Sequence, residues 1–400
     1  MRISTLQLYQ QGLSALQDQQ AKLQRTELQL ASGLRFNKPS EDPAAAVKVL
    51  DLTARIDKID QYFRNSTLAE ASLAFEESVM GNLQNSLQRV RELVIQGNND
   101  TNSDSDRASI AQELYQRLDE LVALANTRDA QGEYIFGGFR VESPPFVETG
   151  TAVQYQGDQG QRMLQVGDGK QVAIRDSGQE VFQNIRGGDG VIQVEASAAN
   201  TGTAVVGSFG LTTSFSADVY TVTFNQAVPT DPITYTVTDS ASSVVSSGNY
   251  EAGASIAFAG AQFNVTGTPA DGDEIVVSPA QKRDIFSTVK ALADALARPA
   301  PDPASAARFH NAMNSGLAAL DQGMEKMSSI RAGIGARLNN LESFNEVNED
   351  FKLQLQTTLS DTQDLDFAEA ISRFNLQLTS LQAAQEAYIR TTGLTLFQYL

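Results

Sequence analysis

Residues 4–33 read STLQLYQQGLSALQDQQAKLQRTELQLASG. Apolar residues fall at Leu6, Tyr9, Leu13, Leu16, Leu23 and Leu30, a three–four alternation that gives a helix one apolar stripe. Gln20 and Glu27 interrupt it as polar seam residues. So narrow a stripe suits a coiled-coil seam better than a helix covering a globular core. Ala31-Ser32-Gly33 then ends the helix, with Gly at a C-cap position.

The far end of the chain repeats the pattern. Phe367, Ile371, Phe374, Leu378, Leu381 and Tyr388 stand at three–four spacing, and Gly393 interrupts just before Leu394. The middle is different. No Pro occurs from Ala44 to Ser143 or from Ala304 to Leu400, whereas 19 of the 29 Gly lie between Gly137 and Asp284. A chain that leaves on helices, makes a β excursion and returns on helices brings its ends together. Thin amphipathic ends cannot form a core alone and complete their burial against a partner. The expected assembly interface is therefore Leu6, Leu13, Leu16, Leu23 and Leu30 at one end, with Ile371, Phe374, Leu378, Leu381 and Tyr388 at the other.

Inward from the first helix, Arg35 to Pro43 is a loop. Asp42 before Pro43 predicts a helix start, a capping carboxylate followed by Pro at the first helical position. The stripe Val49, Leu52, Ile56, Ile59 and Phe63 continues through Phe75, Val79, Leu83, Leu87, Val90 and Val94 to about Gly97. A further helix spans roughly Asp106 to Thr127. Gly137-Gly138 between Phe136 and Phe139 reads as a two-residue hairpin turn. From about Val141 to Ser278 the period becomes two, as in Tyr220-Thr221-Val222-Thr223-Phe224, which predicts an antiparallel β domain, or two small ones divided near residues 185–205. Helix returns at Asp284, pauses at Arg298 to Pro303, and continues through Ile330, Ile334, Leu338, Leu341 and Phe344 to a break near Ser360-Asp361. The fold class is α+β and multidomain: a long helical bundle and coiled coil from the two chain ends, with an inserted antiparallel β domain.

Composition narrows the function. A net charge of −18 opposes binding to nucleic acid or anionic membrane surfaces. Cys is absent, so disulfides and thiolate metal sites are excluded. No apolar run reaches the roughly 18 residues needed to span a bilayer, and the N-terminus has no apolar signal-peptide core. Export, if it occurs, is expected to use another route.

No constellation carries chemistry. The single His, His310, has no identifiable triad or metal partners and reads as a helix-face residue. Asp100 to Asp106 starts like a calcium loop, but Ser105 and Ala111 occupy the positions that require Gly and Glu, so a helix-capping loop is the better reading. Gly187-Gly188-Asp189-Gly190 occurs once and reads as a tight turn. No enzyme, cofactor or metal site is expected.

Three segments together resemble the bacterial flagellin superfamily. Leu30 to Asn37 is similar to its N-terminal signature. Leu87 to Gln96, with the Asn/Ser/Asp loop after it, matches a second segment, and Asp364 to Ile371 matches the C-terminal signature. Within the superfamily, the opening Met1-Arg2-Ile3-Ser4-Thr5, the Pro-containing run Asn37 to Ala44 and the ending Gly393 to Gln398 resemble the hook–filament junction branch more than filament flagellins. The resemblance implies an extracellular structural subunit of the flagellum, exported through its channel without a cleaved signal. Residues 1–38 and 365–400 would be terminal coiled-coil helices, disordered in the monomer. Residues 39–140 and 285–364 would form a helical bundle with a short hairpin, and residues 141–284 a β-rich outer domain. Implied partners are further copies of the chain in a ring, hook-associated protein 1 on the hook side, flagellin on the filament side and an export chaperone at the C-terminal helix. The alternatives are a minor or atypical flagellin, or a flagellar adhesin acting through the β domain.

Overall fold

The computed structural model of the chain describes residues 5–150, 152–228 and 230–393. Six α-helices carry it: α1 (Thr5–Ser32), α2 (Pro43–Gly97), α3 (Asp104–Ala125), α4 (Ile285–Ala297), α5 (Pro303–Gln363) and α6 (Phe367–Gly393). The starts of α2 to α6 follow one rule, an acceptor side chain placed over free N–H groups. Asp42 Oδ1 accepts from Ala45 N at 2.9 Å, Asp284 Oδ1 from Ser287 N at 2.7 Å, Asp302 Oδ1 from Ser305 N at 2.9 Å and Asp366 Oδ1 from Ala368 N at 2.9 Å. At α3, Ser103 and Asp106 cap each other reciprocally, so the Asp100–Asp106 segment is a capping loop. Two of the starts, Asp42-Pro43 and Asp302-Pro303, add a ring already fixed at helical φ.

The chain divides into two compact units, Met1–Asn65 with Ser343–Leu400, and Ser66–Glu342. In the first, α1 pairs with α6, and residues 43–65 of α2 lie with residues 343–363 of α5. Lys352 Nζ bonds Asp60 Oδ1 at 2.5 Å there, with its ammonium 5.8 Å from the Phe63 ring centre.

The second unit has a helical core of α2, α3, α4 and α5 residues. Leu83, Leu87, Leu114, Leu121, Val289, Leu292, Met313, Leu320 and Ile334 are all buried. Gly97 and Gly316 let helices approach closely, since a Cβ on either would lie within 2.5 Å of Leu296 or Leu292 respectively. Aromatic rings continue the core toward the strands: Phe182 stacks on Phe286 at 5.4 Å, and Phe146 lies 5.0 and 5.1 Å from the two.

The strands are antiparallel throughout. Two hairpins come first, β1 (Phe146–Thr149) with β2 (Ala152–Tyr155) and β3 (Met163–Gly167) with β4 (Lys170–Ala173). A π-helical turn, Gln179–Gln183, and β5 (Ile185–Arg186) follow. The remaining strands are β6 (Ile192–Ala196), β7 (Val205–Leu211), β8 (Tyr220–Asn225), β9 (Thr234–Thr238), β10 (Val244–Asn249), β11 (Ser255–Phe258), β12 (Ala261–Thr266), β13 (Glu274–Pro279) and β14 (Lys282–Arg283). They make a five-stranded sheet, β10-β9-β8-β13-β6, and a three-stranded sheet, β11-β12-β7, around Val222, Phe224, Val237, Phe263, Val265 and Ile275. β14 pairs with β5. The alternation seen in Tyr220 to Phe224 is thus the alternation of inward and outward faces.

One turn differs from the sequence reading. Gly137-Gly138 does not join two strands. The chain reverses earlier, at Asp129 to Glu133, where Asp129 Oδ1 accepts from Gln131 N and Glu133 N, both at 2.9 Å, and Arg128 bridges Tyr134. Gly132 supplies the positive φ of 82°. Gly138 instead lies against Asp158, whose carboxylate accepts from Phe139 N at 3.0 Å.

Candidate assembly interface

Three contacts fix the pairing of α1 and α6. Tyr9 meets Tyr388 edge to face at 6.4 Å, Thr26 Oγ1 donates to Gln377 Oε1 at 2.8 Å, and Gly33 lies 3.6 Å from the Phe367 ring, measured from an added Cβ. Partner numbers fall as α1 advances, so the helices are antiparallel. A clasp closes the inner end: Arg35 N donates to Gln363 O at 2.7 Å and Leu365 N to Gly33 O at 2.9 Å, with Leu34 bridging Asp364.

Burial along α1 then defines a heptad. Tyr9, Gly12, Leu16, Gln19, Leu23, Thr26 and Leu30 are half-buried or buried, alternating three and four residues apart. On α6 the same spacing runs through Ala370, Phe374, Gln377, Leu381, Ala384 and Tyr388. Large side chains thus alternate with small or polar ones. Gly12 admits the Tyr388 ring, which would lie 3.0 Å from an added Cβ. The buried Thr26 hydroxyl has Lys22 O at 3.1 Å and Gln377 Oε1 at 2.8 Å as alternative acceptors for its one proton.

The ten residues expected at the interface therefore separate into two sets. Leu16, Leu23, Leu30, Phe374, Leu381 and Tyr388 lie in the seam between the two helices of one chain. Leu13, Ile371 and Leu378 do not; they are 49%, 50% and 37% exposed. Gln20 and Glu27 are exposed as well, so the polar interruptions of the seam are Gln19 and Thr26, one residue earlier. Leu6 stands seven residues before Leu13, in the same column; its side chain lies outside the described residues.

The residues outside the seam share a side. Leu13, Gln20 and Glu27 follow the small or polar seam positions of α1 by one residue, as Ile371, Leu378 and Gln385 do on α6. A two-fold rotation perpendicular to the plane of an antiparallel pair exchanges its helices and keeps each flank in place. Equivalent heptad positions therefore form one flank, in which three apolar side chains stand among two amides and a single charge, Glu27. Leu28, Leu376 and Ile389, on outer faces, are also more than half exposed. Helices apolar beyond their seam are those that become buried on more than one side.

Sequence reasoning missed Gly12, Gln19, Thr26, Ala370, Gln377 and Ala384, because none is a large apolar residue. Their signal was the seven-residue spacing of Leu16, Leu23 and Leu30, which fixes the intervening seam positions without regard to residue type.

Elsewhere, His310 Nδ1 lies 2.9 Å from Asn98 Oδ1 and Nε2 lies 3.0 Å from Asp100 Oδ1, which joins α5 to the loop after α2. Among the described residues no group of three or more His, Cys, Asp or Glu is placed to hold a metal ion, and no helix is long and apolar enough to cross a membrane.

Residues 3–140 match the bacterial flagellin N-terminal helical region, and residues 317–400 the C-terminal helical region. The chain is 26% identical over 398 residues to the flagellar hook-associated protein 3 of Escherichia coli strain K12, covering 100% of this chain and 99% of that protein. Among solved structures it is similar to the flagellar hook associated protein-3 of Legionella pneumophila, with a TM-score of 0.74 and 32% identity over 78% of this chain and 97% of that one. The crystal structure of Xanthomonas campestris FlgL matches with a TM-score of 0.71 and 33% identity, covering 76% of this chain and 98% of that one. With both flagellin helical regions present and nearly the whole of two solved relatives spanned, the chain belongs to the FlgL, or hook-associated protein 3, family of the flagellin superfamily.

Proposed function

We propose that this chain is a non-enzymatic structural subunit of the flagellum that joins hook to filament by self-assembly of its terminal helices. The observation that carries the reading is the α1–α6 pair, which satisfies its seam within one chain and leaves Leu13, Ile371 and Leu378 on one open flank. Seam residues make the pair; the flank meets the next copy in a ring. Hook-associated protein 1 and flagellin contact the ring on its two sides, and the protein acts outside the cell after passing through the export channel. An export chaperone at α6 would cover Leu378 directly. It would reach Leu381 only by displacing α1, so a chaperone that covers both residues excludes α1–α6 pairing.

The test is deletion of residues 371–400 in cells. The expected outcome is a subunit that keeps its folded Ser66–Glu342 unit while motility is lost. Normal filaments on such cells would sink the proposal. Immunogold labelling of isolated flagella separates the junction from the alternative of a minor flagellin: a narrow band beside the hook supports the junction, and label along the filament overturns it.

A further inference from the structure

Segment 173–178 leads from β4 into the π-helical turn and is stitched to two helices. Ser72 Oγ of α2 donates to Ile174 O at 3.2 Å, and Asp176 N donates to Glu76 Oε1 at 2.9 Å. From α5, Arg337 Nη1 donates to Ala173 O at 3.2 Å, and its guanidinium also bonds the Asp176 carboxylate. Arg175 bonds Asp129 and lies 3.3 Å from Glu133, which is held in turn by Arg162 at 2.8 Å.

Charge matching in this cluster is complete without Glu76. Arg162, Arg175 and Arg337 face Asp129, Glu133 and Asp176. The other charges around it are already paired: Glu77 on α2 with Arg331 on α5 at 2.6 Å, and Glu180 with Lys326. Glu76 is 1% exposed, has one backbone N–H as partner for Oε1, and leaves Oε2 buried without any. An ionised Glu76 would be a fourth, unmatched carboxylate with half its charge unsolvated, whereas the neutral acid leaves only a hydroxyl unpartnered.

We propose that Glu76 is a pH-operated latch: as the neutral acid it lets segment 173–178 seat on α2, and its ionisation releases that segment. Burial, reinforced by the neighbouring Asp176 charge, pushes the Glu76 carboxyl up to about 8 from an ordinary 4.5. The sign follows from proton linkage. The seated state binds the proton more tightly than the open one, so the latch is fully closed below about pH 4.5. It loses strength as pH rises toward about 8, and the loss then levels off. Within that window each pH unit multiplies the opening equilibrium by about ten.

Hydrogen–deuterium exchange of the full-length protein, read at the amides of residues 174–178 and corrected for intrinsic base catalysis, tests this from pH 5 to 9. Opening should rise about tenfold per unit up to about pH 8 in the wild type and stay flat in Glu76→Gln. A flat wild-type profile, or the same slope in both proteins, overturns the latch. Should the variant fail to fold, side-chain carboxyl NMR of Glu-labelled wild-type protein decides. One Glu titrating near pH 8 supports the proposal, and all Glu titrating below pH 6 overturns it.

Discussion

Seam and flank leucines differ in what surrounds them, and that difference predicts opposite phenotypes. Leu23 is half-buried against α6, so Leu23→Ala should cost about 1 kcal/mol of pairing stability and lower the melting temperature of the terminal unit. Leu13 and Leu378 lie outside the seam and keep about half and about a third of their surface in solvent, so a Leu13→Gln, Leu378→Gln double variant should stay within about 1 kcal/mol of wild type. Burying the half of Leu13 and the third of Leu378 that remain exposed would gain about 0.5–1.5 kcal/mol each. Sedimentation velocity should therefore show self-association of the double variant weakened by tenfold or more while its circular dichroism melt changes little. Unaltered association would remove the flank from the interface. The distinction was half legible in sequence. Every large apolar residue of the stripe was visible, but a helix read by Leu positions alone assigns Leu13 to the seam because nothing marks Gly12 as a better fit for the Tyr388 ring.

At the scale of elements, helices were legible because their causes are local: Asp caps, Pro at the first turn and a continuous apolar stripe over α2 and α5. The β region was legible as strands but not as a docked body, because what docks it is long-range. Asn311 on α5 donates to Ala204 O at 2.9 Å and accepts from Val206 N at 2.8 Å. Asn314 donates to Val206 O at 3.0 Å, and Arg308 to Asn200 O at 2.9 Å. Asn311 and Asn314 cap the open edge of β7 at Val206, satisfying backbone groups that its pairing with β12 leaves free, and Arg308 holds the loop before the strand. The inserted sheets are thus stapled to α5 rather than carried on a loose tether. Asn311→Ala removes both partners from a partly buried edge and should cost about 1–3 kcal/mol. Exchange should accelerate at Val206 while the α3 and α4 amides keep their protection. Equal acceleration in all three would mean global rather than local loosening.

For the whole molecule, assembly must work against charge. Each copy carries −18, and half of the excess lies in residues 137–284, where 16 acidic residues face 7 basic ones. Copies gathered in the proposed ring would repel one another at long range, whereas the flank proposed to hold them is made of Leu13, Gln20, Ile371, Leu378 and Gln385 with Glu27 as its only charge. Attraction through such a surface is apolar and short-ranged, so salt leaves it intact while screening the repulsion. The Debye length shrinks from about 10 Å at 0.1 M to about 3 Å at 1 M. Self-association of the full-length protein should accordingly strengthen several-fold as sodium chloride is raised from about 0.05 to 0.5 M, an effect belonging to net charge and its screening. An interface built on ion pairs would respond in the opposite direction, because screening removes its attraction first. Light scattering or sedimentation across that salt range distinguishes the two, and association that weakens with salt would transfer the interface from the apolar flank to the charged faces of the helices.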